Sequence, residues 1–134
     1  MIVFSKYKRK FRKAYVCSPL SADTDSEIRE NMERAKEYVA ITEALLNCKA
    51  VAPHAVLPEF LDDSILAERE LALSFGLELL SLCDVAVAFG SVISKGMQAE
   101  INKAEELGIP VIYASVSGDS VKATTSPKRS VANE

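Results

Sequence analysis

One segment of the sequence combines two glycines with a carboxylate. It runs from Gly90 to Glu100 as GSVISKGMQAE, beginning where an apolar stretch ends and continuing into a helical pattern. A turn of this kind can point backbone N–H groups from the positive end of a helix at an anion such as phosphate. The spacing matches neither GxGxxG nor GxxxxGK[ST], so it predicts neither a dinucleotide fingerprint nor a Walker loop. An ordinary structural loop fits the same pattern.

Glu100 falls near the first turn of the predicted helix. A carboxylate held there can act as a nucleophile or a general base. It can equally serve only to stabilise the helix N-terminus, by about 0.3–1 kcal/mol. Both roles stay open at this point.

His54 is the single histidine of the chain and follows Pro53 at the end of an apolar run. It is either a ligand contact or a structural residue. No second histidine or nearby cysteine completes a metal set, and one histidine does not define a Ser/His/Asp arrangement. We therefore expect no metal and no cofactor. Asp84, before the next apolar run, is expected to cap or orient the preceding helix.

Short apolar runs alternate with helical patterns along the chain. The runs at 14–17, 49–52, 84–89 and 111–114 predict strands, and the helices are expected at about 26–47, 64–82 and 97–107. Asp25 or Ser26 is the expected cap of the first helix, and Gly108 ends the last one. The series predicts an α/β domain with a short, doubly wound parallel sheet in three layers, of the Rossmann or flavodoxin-like kind.

The carboxyl ends of parallel strands meet at one edge of such a sheet, where ligands bind. Three predicted loops fall on that edge, at residues 18–26, 53–63 and 90–96. The sequence therefore predicts a ligand site built from these loops.

The length of 134 residues predicts a single domain. Its expected parts are a basic N-terminal arm over 1–13, an α/β core over 14–115 and an irregular C-terminal tail over 116–134. A net charge of −3 argues against a nucleic-acid binder. The lysines and arginines of 6–13 fit a solvated arm, with a phosphate or nucleic-acid contact as the alternative.

The cysteines and the lengths of the apolar runs indicate the cellular compartment of the protein. Cys17, Cys48 and Cys83 occur singly in apolar stretches, which favours reduced, buried thiols. No apolar run is long enough to span a membrane, and the start lacks the pattern of a signal peptide. We expect a cytoplasmic protein.

Four motifs resemble the nucleoside 2-deoxyribosyltransferase-like superfamily. They are Tyr15-Val16-Cys17-Ser18-Pro19-Leu20-Ser21, Ala52-Pro53-His54, Cys83-Asp84-Val85-Ala86-Val87, and Ser94-Lys95-Gly96-Met97-Gln98-Ala99-Glu100 followed by Gly108-Ile109-Pro110-Val111. The similarity covers roughly residues 14–114. Within the superfamily, the chain is similar to small uncharacterised bacterial and phage proteins.

The resemblance implies a nucleophilic role for Glu100, whose counterpart attacks the anomeric carbon of a 2-deoxyribose and displaces the base. Six residues earlier the nucleoside transferases have an aspartate, whereas the related deoxynucleoside monophosphate hydrolases have a serine near the 5′-phosphate. Ser94 resembles the hydrolase branch and implies a phosphorylated ligand. The resemblance also places Tyr15 and Ser18 at the sugar and phosphate pocket. We further expect His54, Gly90, Gly96 and Met97 to bind the substrate.

One position departs from the superfamily pattern. Catalytic members carry a further aspartate about two helical turns before the Cys83-Asp84 strand start, where this chain has Gly76. Glu78, or the stretch 68–70, could replace it. The alternatives are thus a nucleotide N-glycosidase or deoxyribosyltransferase-like enzyme, a nucleotide-binding protein without turnover, and a structural role. The resemblance also implies a homo-oligomer, since neighbouring subunits commonly share sites in this superfamily.

Overall fold

The computed structural model describes residues 11–19 and 24–125, together with the backbone of 130–131. The strands are β1 (Lys13–Cys17), β2 (Lys49–Val51), β3 (Val85–Phe89), β4 (Val92–Ile93), β5 (Val111–Ser117), β6 (Ser120–Thr124) and β7 (Ser130–Val131). The helices are α1 (Asp25–Leu46), α2 (Leu66–Leu80) and α3 (Lys95–Glu106). Two short 3₁₀ helices, Pro53–Ala55 and Leu57–Glu59, connect β2 to α2.

Five strands form the main sheet in the order β2-β1-β3-β5-β6. The first four are mutually parallel, and β6 is antiparallel to β5. β3 lies at the centre between β1 and β5, and Tyr15 of β1 is opposite Ala86 of β3 in the register. This mostly parallel sheet with helices on its faces confirms the predicted Rossmann or flavodoxin-like α/β fold.

Alternate residues of the central strands face opposite layers. Val16, Val87 and Ile112 belong to a core with α1, where Tyr38 stacks on Phe89 at a ring separation of 4.1 Å. The residues between them form a second core with α2 and α3. The strands are buried on both faces, which explains their unbroken apolar sequences. Tyr15 belongs to the second core and therefore points toward α3.

A β-hairpin replaces part of the predicted irregular tail. β5 continues to Ser117, and β6 pairs with it through the two-residue loop Gly118–Asp119. Gly118 has φ 61°, a conformation that favours glycine. Val121 is buried against the core, which accounts for the extra strand. Residues 126–129 and 132–134 of the predicted tail, and 1–10 of the predicted arm, lie outside the described residues.

Three local predictions about helix ends need correction. The cap of α1 is Thr24, whose side chain accepts a hydrogen bond from the Glu27 amide, not Asp25 or Ser26. α3 begins at Lys95 with Ser94 as its cap, earlier than predicted.

Asp84 accepts hydrogen bonds from the backbone amides of residues 12 and 13 and so fastens the start of β1 instead of capping a helix. Gly108 follows α3 with φ 74°, in the conformation its predicted role as a C-terminal cap requires.

Helix α2 is apolar around most of its circumference. Gly76 and Leu80 face the core, whereas Leu71 and Phe75 are exposed on another face, and Leu82 is exposed just beyond the helix end. A helix with two apolar faces is usually covered on both. No helix among the described residues is both long and apolar enough to cross a membrane.

Candidate active site

A cavity of about 1230 Å³ opens at the carboxyl edge of the parallel strands. Its wall includes Pro19, residues 53 and 54, the segment 57–63 and residues 92 and 94–96, so all three predicted loops contribute. Residues of β1 and of helices α1, α2 and α3 supply the rest of the wall. Five site residues predicted from the sequence line the cavity: Tyr15, His54, Ser94, Gly96 and Glu100.

Glu100 and Tyr15 form the chemical centre of the cavity. Glu100 lies in the second turn of α3, and its side chain is only 3% exposed. The Tyr15 hydroxyl donates a hydrogen bond to Glu100 Oε2 at 2.5 Å, within the range for a bond to a carboxylate. Glu100 Oε1 has no hydrogen-bond partner among the described residues. A buried carboxylate with one unsatisfied oxygen is costly unless a ligand or a function compensates.

The environment makes Glu100 readily protonated. Burial raises the pKa of Glu100 to about 7, although the hydrogen bond from Tyr15 and the interaction with the Cys17 thiol oppose this rise. Burial and the nearby carboxylate raise the pKa of Tyr15 far above neutrality, so the phenol keeps its proton. Burial likewise raises the pKa of the Cys17 thiol. Glu100 is therefore the group of this cluster that titrates near neutral pH, which suits a general acid or base.

Gly76 lies against this pair from α2. A Cβ added at Gly76 would be 2.8 Å from the Tyr15 hydroxyl oxygen and 3.8 Å from Glu100 Oε2. The position predicted from spacing thus does face the carboxylate. The Tyr15 hydroxyl occupies the space that a side chain from α2 would need, and this explains why glycine fits here.

The two substitutes considered for the missing aspartate lie differently. Glu78 is exposed and does not line the cavity. Glu68 lines it, but its carboxylate accepts a hydrogen bond from the Asp62 amide at 2.6 Å and so fastens the 57–63 segment. Arg69 also lines the cavity, whereas Glu70 does not.

His54 and Ser18 form a second polar contact at the cavity wall. His54 Nδ1 donates a hydrogen bond to the Ser18 carbonyl oxygen at 2.8 Å, since a carbonyl can only accept. Burial lowers the pKa of His54, although this hydrogen bond opposes the change. The imidazole is therefore neutral at pH 7, with Nε2 as an acceptor. The Ser18 hydroxyl is buried and has no partner among the described residues.

The N-terminus of α3 forms another part of the wall. The Ser94 hydroxyl accepts a hydrogen bond from the Met97 amide at 3.2 Å. Lys95, the first helical residue, is exposed and lines the cavity. Gly96 leaves open space, since no atom lies within 4 Å of where its Cβ would be. A helix N-terminus with a lysine on it favours an anionic group.

Three predicted binding residues lie away from the cavity surface. Met97 is buried in the core with α2 and α3, and Gly90 lies beside Pro19 with φ 117°. Ser18 contributes through its contact with His54.

Arg29 and Phe60 line the cavity but were missed, because a surface arginine on a helix and one aromatic residue in a loop carry no motif. The described residues include no group of three or more histidine, cysteine, aspartate or glutamate side chains suited to a metal ion.

Comparison with known proteins shows the family of this chain and a solved structure that shares its fold. The fold is shared with a solved 2-deoxyribosyltransferase from the psychrotolerant bacterium Bacillus psychrosaccharolyticus, at a TM-score of 0.56 and 18% identity. The match covers 81% of this chain and 75% of the transferase. The chain itself belongs to the family described as a domain of unknown function, DUF7768, whose model matches residues 12–114. The curated proteins give no match.

Proposed function

We propose that this protein cleaves the base–sugar bond of a nucleoside monophosphate, with Glu100 as the nucleophile. The observation that carries the proposal is the buried Glu100 carboxylate, held by the Tyr15 hydroxyl at the wall of a large cavity. The structural similarity to a 2-deoxyribosyltransferase supports the same chemistry.

The proposed reaction resembles that of a retaining glycosidase. A Glu100 oxygen forms a bond to the anomeric carbon while the carbon–nitrogen bond breaks, and the bonding electron pair leaves with the base. In a hydrolase, water then displaces Glu100 from the sugar, and the proton that the water loses passes to the departed base. In a transferase, a second base displaces Glu100, and its N–H proton passes to the first base. The Tyr15 hydrogen bond orients the carboxylate and favours its ionised form.

The phosphate would lie at the N-terminus of α3. Ser94, Lys95 and Gly96 supply a helix end, a cation and open space on the cavity wall. His54 offers Nε2 as an acceptor to a sugar or base donor. These features support a monophosphate over an uncharged nucleoside.

A second function, nucleotide binding without cleavage, is favoured by Gly76. The superfamily that the sequence resembles has an aspartate there in its catalytic members. In this chain the Tyr15 hydroxyl fills that space. Turnover is the property that separates the two functions.

The test is incubation of the purified protein with ribo- and deoxyribonucleoside monophosphates and their parent nucleosides, with free base measured by chromatography. We expect base release from a monophosphate, slower release from its nucleoside, and none from Glu100→Ala. The Glu100→Ala variant should bind the nucleotide within about tenfold of wild type, since it loses mainly a transition-state interaction. Glu105→Ala, an exposed glutamate on the same helix, is the matched control.

Each other outcome has a distinct meaning. Full turnover by Glu100→Ala would exclude Glu100 as the nucleophile. Binding of a monophosphate that raises the melting temperature, without release of base, would establish the binding function instead. Equal binding of nucleoside and monophosphate would remove the phosphate from the proposal.

We also propose that the protein forms a homo-oligomer through the exposed apolar side of α2, defined by Leu71 and Phe75 together with Leu82 just beyond the helix end. Contiguous exposed apolar side chains commonly mark protein interfaces. We further propose a cytoplasmic location. All three cysteines are free thiols, which suits a reducing compartment.

A further inference from the structure

Phe60 is the most exposed large apolar side chain among the described residues, at 75%, and it lies on the cavity wall. Its position is set by the 3₁₀ helix Leu57–Glu59. The amides of Phe60 and Leu61 both donate to the Leu57 carbonyl oxygen at 2.9 Å. Leaving an aromatic ring in water forgoes the favourable burial that such rings normally obtain. The backbone at Phe60 is thus held in place, and its ring on the cavity wall is accessible to a ligand.

The surroundings of Phe60 suit a flat group that has an apolar face and polar edges. Leu57, Pro58, Leu61 and Leu73 line the cavity with it, beside the carboxylates of Glu59, Asp62 and Asp63. In the described part of the chain, the other aromatic residue on this wall is Tyr15, which is fully buried and bonded to Glu100. Of these two rings, Phe60 alone presents an open face to a ligand.

Helix α2 relates Phe60 to the Glu100 end of the cavity. The Glu68 carboxylate bonds to the amide of Asp62, so the 57–63 segment lies beside the first turn of α2. Gly76, further along the same helix, faces Glu100. The helical rise puts residues 68 and 76 about 12 Å apart. A base attached to a sugar at Glu100, together with the Phe60 ring, can span that separation.

We propose that Phe60 is the stacking platform for the base of the nucleotide substrate. This inference rests on the proposed nucleotide function and assigns the 57–63 segment to recognition of the base. Every nucleobase has an aromatic face, so stacking gives affinity while tolerating different bases. Phe60 then contributes to binding of any nucleotide but not of a sugar phosphate without a base.

The experiment uses the absence of tryptophan from this chain. In Phe60→Trp the new indole is the single tryptophan, and a base stacked on it quenches its fluorescence. We expect a nucleoside monophosphate to quench this fluorescence and 2-deoxyribose 5-phosphate to leave it unchanged. Leu107→Trp places the indole at an exposed position outside the cavity wall and is the matched control, with no quenching expected.

Calorimetric binding separates stacking from a general loss of structure. Phe60→Ala should weaken nucleotide binding about tenfold or more and leave sugar phosphate binding within twofold, whereas Phe60→Trp should retain nucleotide affinity. Unchanged nucleotide affinity in Phe60→Ala, or an equal loss for the sugar phosphate, would overturn the role of Phe60. If wild type binds no nucleotide at all, the proposed function itself fails, and that result is distinct from a failure of Phe60 alone.

Discussion

At the scale of single residues, two opposing effects act on the pKa of Glu100. Burial favours its neutral form, and the hydrogen bond from Tyr15 favours its ionised form. The balance leaves its pKa at about 7. A nucleophilic carboxylate must be ionised, so Tyr15 keeps a larger fraction of Glu100 competent at neutral pH.

Tyr15→Phe removes that hydrogen bond and should raise the pKa of Glu100. A hydrogen bond to a charged group is worth about 1.5–3 kcal/mol, which corresponds to an upward shift of about 1–2 pH units. Any activity that needs ionised Glu100 should then begin to rise at higher pH than in wild type. A carbon NMR titration of the Glu100 carboxyl measures the shift without a substrate.

Tyr38→Phe is the control for this titration, because Tyr38 lies in the core with α1 on the other face of the sheet. It should leave the Glu100 titration unchanged. Superimposable curves for wild type and Tyr15→Phe would show that the hydrogen bond does not set the ionisation of Glu100.

At the scale of elements, α2 and β1 meet where Gly76 contacts the Tyr15 hydroxyl. An added Cβ would approach that oxygen to 2.8 Å, closer than real Cβ atoms tolerate. Tyr15 is fully buried and bonded to Glu100, so its ring cannot move aside without breaking the pair. Glycine at position 76 of α2 and tyrosine at position 15 of β1 therefore depend on each other.

Gly76→Ala should destabilise the protein by about 1–3 kcal/mol, as overpacking of a core does. In a Tyr15→Phe background the oxygen is gone, so the cost of Gly76→Ala should fall by about 1 kcal/mol or more. Urea denaturation of wild type, the two single variants and the double variant gives their free energies of unfolding. Together these give the coupling free energy between positions 15 and 76.

Gly96→Ala is the matched control for that cycle. Gly96 is also helical, but a Cβ there would meet nothing within 4 Å, so alanine should be neutral or stabilising by up to about 1 kcal/mol. Additive effects of Gly76→Ala and Tyr15→Phe would contradict the coupling.

Much of this arrangement follows from local sequence patterns, and the rest depends on distant contacts. The strands β1, β3 and β5 were predictable, because burial on both faces requires unbroken apolar runs. The edge strand β2 is less buried and was predicted from a short apolar run that ends at Pro53. β6 was missed, since its alternating Ser120–Thr124 sequence is short and only half buried. Glu100 was predicted as a site residue from the motif after β3, and it lies on the cavity wall. The contact between Gly76 and Tyr15, by contrast, joins residues far apart in the chain. The spacing of apolar residues along the sequence does not indicate such a contact.

At the scale of the whole molecule, the exposed side of α2 matters because the same helix carries Gly76 on its buried side. Leu71 and Phe75 are four residues apart and so lie on one face, with Leu82 exposed just after the helix. A second copy packed there would cover these apolar side chains. It would also hold α2 against Tyr15 and Glu100.

Wild type is therefore expected to be a dimer or larger oligomer at micromolar concentration, and Leu71→Ser combined with Phe75→Ser should dissociate it. Light scattering after size exclusion measures the mass directly. The melting temperature of wild type should rise with protein concentration and that of the double variant should not, because association stabilises the folded chain by mass action. Leu107→Ser, which removes an exposed leucine at the end of α3, should keep the wild-type mass. A monomeric wild type, or an unchanged mass in the double variant, would show that the apolar side of α2 is not covered by a second copy.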